Sequence, residues 1–98
     1  MKNLNEIRTD LKEIQYYYTR KELFDKSLDT VGTNSVIEKV RKYNEIIKSA
    51  PPRLYDVYVS LYVNGLTQES MAHDRGYSSK VIYLLNKKLL EFLQKNLK

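Results

Sequence analysis

A chain of 98 residues holds one domain, or a small domain with a helical appendage. It is 42% hydrophobic and 30% charged, too apolar for disorder, and its longest apolar run (Val81-Ile82-Tyr83-Leu84-Leu85) is far short of the roughly 20 residues of a membrane span. The net charge is +5, and residues 76–98 carry five lysines against Glu91 alone, a basic end that suits a polyanionic partner or simple solubility equally well.

The first segment, about Leu4 to Leu28, reads as one long helix. Leu4, Ile7, Leu11, Ile14 and Tyr18 alternate spacings of three and four, which gathers them on one stripe. Glu6, Arg8, Asp10, Lys12 and Glu13 fall to a solvated, mixed-charge face; no Glu-x-x-His motif accompanies the acids to make them metal ligands. Asp29 to Asn34, around Gly32, reads as a loop. Ser35 and Glu38 have the spacing of a capping box, and the helix they open carries Val36, Val40, Tyr43, Ile47 and Ala50 before Pro51-Pro52 stops it. Two striped helices joined by a short loop predict an antiparallel hairpin, residues 1–50, which buries its stripes internally or against a second copy.

Arg53 to Val63 is ambiguous. Tyr55, Val57, Val59, Leu61 and Val63 alternate like a strand, but no partner strand follows Asn64-Gly65, and Leu54, Tyr58, Leu61 and Tyr62 share a helical face. The helix is preferred, with Gly65 as the left-handed residue past its end. Next come two N-cap signals eleven residues apart, Thr67 and Ser78, each behind an apolar residue (Leu66, Tyr77) placed to staple Met71 or Ile82. Gly76 between them can take a positive φ. Local chemistry thus predicts a short helix at Gln68–Arg75, a glycine turn, and a longer helix at Ser79–Asn96.

That pattern is a helix-turn-helix, whose second helix enters the major groove of DNA. Ala72 sits where the two helices cross, and Met71, Tyr77, Ile82 and Leu85 supply a small core. Arg75 stands where such motifs usually carry leucine or methionine; its stem can lie on the core with its head in water. With Ile82, Leu85, Leu89 and Leu93 as the buried stripe, about 100° per residue turns Lys80, Leu84, Lys87 and Glu91 outward.

The run Tyr62-Val63-Asn64-Gly65-Leu66-Thr67-Gln68-Glu69-Ser70-Met71-Ala72, followed by Gly76-Tyr77-Ser78 and Val81-Ile82-Tyr83-Leu84-Leu85, resembles region 4 of sigma-70-type factors. Most of all it resembles the RinA/ArpU-like regulators of late transcription in prophages of Gram-positive bacteria. The resemblance covers about Leu54 to Leu93; residues 1–50 match only in being helical. It implies an all-α protein with a helical hairpin followed by a three-helix, region 4-like domain over residues 53–98. It further implies a DNA-binding transcriptional regulator in the bacterial cytoplasm, with host RNA polymerase or another phage regulator as candidate partners. This chain departs from the arginine-rich recognition helix of such proteins.

On this reading Ser79, Lys80, Tyr83, Leu84 and Lys87 form the DNA-contacting set. The lysines meet guanine edges or phosphates, and Leu84 meets a thymine methyl. Thr67, Gln68, Ser78 and Lys88 are candidate phosphate contacts, and a homodimer would set two such helices about one DNA turn apart. A leucine and a glutamate on the outer face also suit a protein contact. The competing expectation is therefore an interaction protein that modulates another regulator without touching DNA.

Other features read plainly. His73 and Glu69 are one turn apart, but two ligands make a poor metal site. Nine tyrosines, Tyr16-Tyr17-Tyr18 among them, are explained mainly as core and interface anchors, with Tyr83 the candidate for backbone contact. There is no cysteine, no glycine-rich phosphate loop, and no apolar leader in Met1-Lys2-Asn3-Leu4-Asn5-Glu6. Neither an enzyme nor a cofactor is expected.

Overall fold

The computed structural model describes residues 2–21 and 35–97. The described residues are all-helical, with five helices: α1 (Leu4–Thr19), α2 (Ser35–Ile47), α3 (Pro52–Val57, continuing as a π-helical segment, Tyr58–Val63), α4 (Gln68–Arg75) and α5 (Ser79–Asn96). The predicted loop at Asp29 to Asn34 lies outside the described residues.

The first helix is shorter than predicted. Asn3 caps it, accepting from the Glu6 N–H at 2.8 Å while the Glu6 carboxylate reaches back to the Asn3 N–H. It ends at Thr19 rather than near Leu28, with Arg20 leaving helical geometry at φ −126°, ψ 35°. The apolar stripe slips at this place: Tyr17 is buried and Tyr18 half-buried. Ser35 is the first described residue of α2, and what precedes it lies outside the described residues.

The two helices do not form the antiparallel hairpin. Lys2 lies by Ser35 and Glu38, Glu13 pairs with Lys39, and the Tyr18 hydroxyl accepts from Asn44 Nδ2 at 2.9 Å. Partners that climb together along both chains mark helices running in the same sense. Tyr43 reaches back to Asp10, as a long side chain tilted toward its helix N-terminus does. Residues 20–34 are enough chain for either sense, since α1 is roughly 24 Å long at about 1.5 Å per residue.

Asp10 corrects the expected solvated face. It is 4% exposed, three residues after Ile7 and four before Ile14, and so sits on the buried side. Its carboxylate accepts from Lys2 Nζ (2.6 Å), the Tyr43 hydroxyl (2.6 Å) and Lys39 Nζ (3.1 Å), and Lys39 also pairs with Glu13. Burial alone would push the Asp10 carboxyl up; hydrogen bonds from Lys2, Tyr43 and Lys39 together outweigh it and hold the pKa below the ordinary value.

Pro51 and Pro52 open α3 where a missing N–H costs nothing. Leu54, Val57, Tyr58 and Leu61 are buried, so the helical reading of this stretch holds, but from Tyr58 the turns widen. The Asn64 N–H donates to the Val59 carbonyl (2.8 Å) and the Leu66 N–H to the Ser60 carbonyl (2.9 Å), around Gly65 at φ +75°. Gln15 Nε2 of α1 donates to the Leu61 carbonyl at 3.0 Å.

One core joins these elements. The helix α1 packs on α2, on the π segment and on α5, and its stripe (Ile7, Leu11, Ile14, Tyr17) is buried within the chain rather than held for a second copy. The far end of α5 meets the start of α1: Leu93 and Leu97 are buried, and Gln94 Nε2 donates to the Lys2 carbonyl at 3.2 Å. This anchors the C-terminal half of α5 and leaves its N-terminal half to α3 and α4.

Candidate nucleic-acid interface

The α4–turn–α5 unit is built by local chemistry. Thr67 caps α4, its hydroxyl accepting from the Ser70 N–H at 3.0 Å, and Ser78 caps α5, accepting from the Val81 N–H at 3.3 Å. Between them Gly76 takes φ +69°, with its N–H on the His73 carbonyl (3.3 Å) and the Tyr77 N–H on the Ala72 carbonyl (2.8 Å). Those two bonds make a Schellman turn. Met71, Ala72 and Ile82 are buried where the helices meet.

Two expected core members differ. Tyr77 is 39% exposed: the Schellman turn commits its backbone and points its ring outward. Leu85 is half-buried, and Leu90 takes the buried place beside Ile82, Leu89 and Leu93 because α5 packs on α1 and α2 as well as on α4.

Arg75 does not rest on the core. It is exposed, and its guanidinium forms a fork on Asp56 of α3, Nε to Oδ2 at 2.9 Å and Nη2 to Oδ1 at 2.8 Å. Nη2 also donates to Ser60 Oγ (3.1 Å), a hydroxyl buried in the π segment. The guanidinium holds the Asp56 carboxyl below the usual carboxylate range, against the smaller opposing effect of burial, and Asp56 in turn raises Arg75. Sequence reasoning missed this clamp, because nothing local links positions nineteen apart. It fixes how α4 leaves α3.

Of the proposed contact residues, Lys80, Leu84 and Lys87 share one side of α5. Ser79, Lys80, Tyr83, Leu84, Lys87 and Lys88 are all exposed along α5, as are the two caps, Thr67 and Ser78, while Gln68 is half-buried. The buried residues of α5 lie on the opposite side, so neither α1 nor α2 covers the lysines. The face also carries apolar surface: Tyr83 is 60% exposed, Leu84 45% and Val81 37%. Val81 was overlooked in the sequence, though its place three residues before Leu84 signals a shared flank. Glu91 closes the row beyond Lys87, also exposed.

Elsewhere the chemistry is structural. A groove of about 360 Å³ runs between Tyr18, Asn44, Ile47, Tyr55, Tyr58 and Val63. Three of its polar side chains are bonded in a row: the Tyr58 hydroxyl donates to Asn44 Oδ1 (2.7 Å), and Asn44 donates to Tyr18. Burial raises the Tyr58 hydroxyl, so it stays protonated as a donor. Among the described residues no group of three or more His, Cys, Asp or Glu could hold a metal ion, and no helix is long and apolar enough to cross a membrane. Comparison with protein-family models, curated proteins and solved structures finds no match to this chain.

Proposed function

We propose that the protein is a DNA-binding transcriptional regulator of phage or prophage type that inserts the N-terminal half of α5 into the major groove. One observation carries the reading: Lys80, Lys87 and Lys88 stand in solvent on the outer face of a capped second helix, with every core contact of that helix on its other side. A major groove about 12 Å wide admits such a helix. Lys80 and Lys87 then meet phosphates or guanine edges, Ser79 and Tyr83 meet the sugar–phosphate backbone, and the N-termini of α4 and α5 bring further N–H groups toward phosphates near Thr67, Gln68 and Ser78. Neither catalysis nor a cofactor enters this reading.

In this account the hairpin-plus-three-helix division gives way to one body in which α1 and α2 brace α3 and the far end of α5. On this proposal the protein works as a homodimer in the bacterial cytoplasm, alone or with RNA polymerase. The second copy has to use surfaces other than the stripes of α1 and α2, which are consumed internally.

Retardation of mixed-sequence duplex DNA at low salt tests the proposal. The wild-type chain should shift the duplex, and the Lys80→Ala, Lys87→Ala double variant should shift it far less while keeping its helical signal. A second reading, a helix-turn-helix that docks on another regulator, is favoured by the exposed Tyr77, Val81, Tyr83 and Leu84. No retardation of any duplex at low salt would select it.

A further inference from the structure

The outer face of α5 pairs positive charge with aliphatic surface. Leu84 lies four residues after Lys80 and three before Lys87, on the same side of the helix, and Val81 sits beside it one turn earlier. Both are exposed, and the core contacts of α5 run instead through Ile82, Leu89, Leu90 and Leu93. A branched side chain between two lysines fits a target that offers an apolar group within reach of anions. On duplex DNA that group is the thymine 5-methyl, the one apolar group any base edge shows in the major groove. A protein groove asks for anchors at i, i+3 or i+4, and i+7. Within α5 the row that starts at Val81 runs to Leu84 and then to Lys88, so the third anchor position carries a lysine.

Resting on the DNA-binding reading above, we infer that Leu84, with Val81 beside it, is the specificity-determining element of α5 and selects thymine by its methyl group. Lys80 and Lys87 hold the flanking phosphates or guanines. The preferred sites therefore carry a thymine, or two adjacent ones, at the position facing the middle of the helix. Covering one methyl group is worth about a fourfold change in affinity.

The test begins with selection of binding sites from a random-sequence duplex library by the full chain. Each thymine of the selected site is then replaced by deoxyuridine, which removes the methyl and nothing else. The expected result is a shared thymine whose replacement weakens binding about fourfold. In the Leu84→Asn variant that sensitivity should vanish while the salt dependence, set by the untouched lysines, stays the same. Circular dichroism checks that the variant keeps its helices. The inference is overturned if deoxyuridine is neutral at every thymine, or if Leu84→Asn keeps the wild-type sensitivity. It is overturned equally if Leu84→Asn abolishes capture of a protein partner but leaves duplex affinity and selected sites unchanged. Failure of the DNA reading itself looks different: no duplex is retained at any salt, so no site is selected.

Discussion

At Asp10 a carboxylate taken almost wholly out of water is held by three donors, one from the segment before α1 and two from α2. Breaking such a group is costlier than its net contribution suggests, because the remaining partners lose a desolvated acceptor. Asp10→Asn should cost about 1–3 kcal/mol in urea unfolding at neutral pH. The sign of the pH dependence follows from the depressed carboxyl. Its folded-state pKa lies below the ordinary 3.8, so the stabilisation is complete above that value and is lost as pH falls through the folded-state pKa. Wild type and Asp10→Asn should therefore converge in stability in strong acid; a gap that persists there would contradict this role. The position was legible in principle, since Asp10 is spaced from Ile7 and Ile14 like a core residue. Residue type argued the other way, and its partners Lys2, Lys39 and Tyr43 lie eight, twenty-nine and thirty-three positions away.

At the scale of elements, α4 and α5 were readable to the residue because their limits are written locally. Thr67 and Ser78 each satisfy an otherwise orphaned N–H, and Gly76 alone suits the left-handed turn. Gly76→Ala should cost about 1 kcal/mol. A Cβ there meets nothing within 4 Å, so the whole effect is backbone conformation. Ser78→Ala should cost about 1 kcal/mol as well, measured by thermal or urea unfolding. The π segment was not readable: Tyr58–Val63 has apolar residues at both strand and helix spacings, and Gln15, which takes up the Leu61 carbonyl, lies 46 positions away. The Asp56–Arg75 clamp belongs to the same class of long-range feature. Arg75→Ala should leave helix content unchanged yet weaken duplex binding, since it frees the angle at which α4 presents α5; an unaltered affinity would reduce the clamp to a surface ion pair.

For the whole molecule, the helical class followed from composition and periodicity, whereas the sense of α1 against α2 did not. Stripes tell which face is buried and not what covers it, and the connection over residues 20–34 permits either direction. The same holds for the far end of α5, whose Leu90, Leu93 and Leu97 are buried in the one core that α1 and α2 share. That arrangement braces the helix from behind and leaves its lysine face outward. If the face neutralises phosphates, affinity should fall steeply with salt, and the slope of log K against log salt should drop by about 1 for each of Lys80 and Lys87 removed. The most direct measurement is a titration of duplex DNA into isotopically labelled protein, following every backbone amide by NMR. The account predicts that the largest shifts fall on Ser78 to Lys88 and at Thr67 and Gln68, and that they fade at high salt. Shifts confined to α1 and α2, or none at low salt, would contradict it.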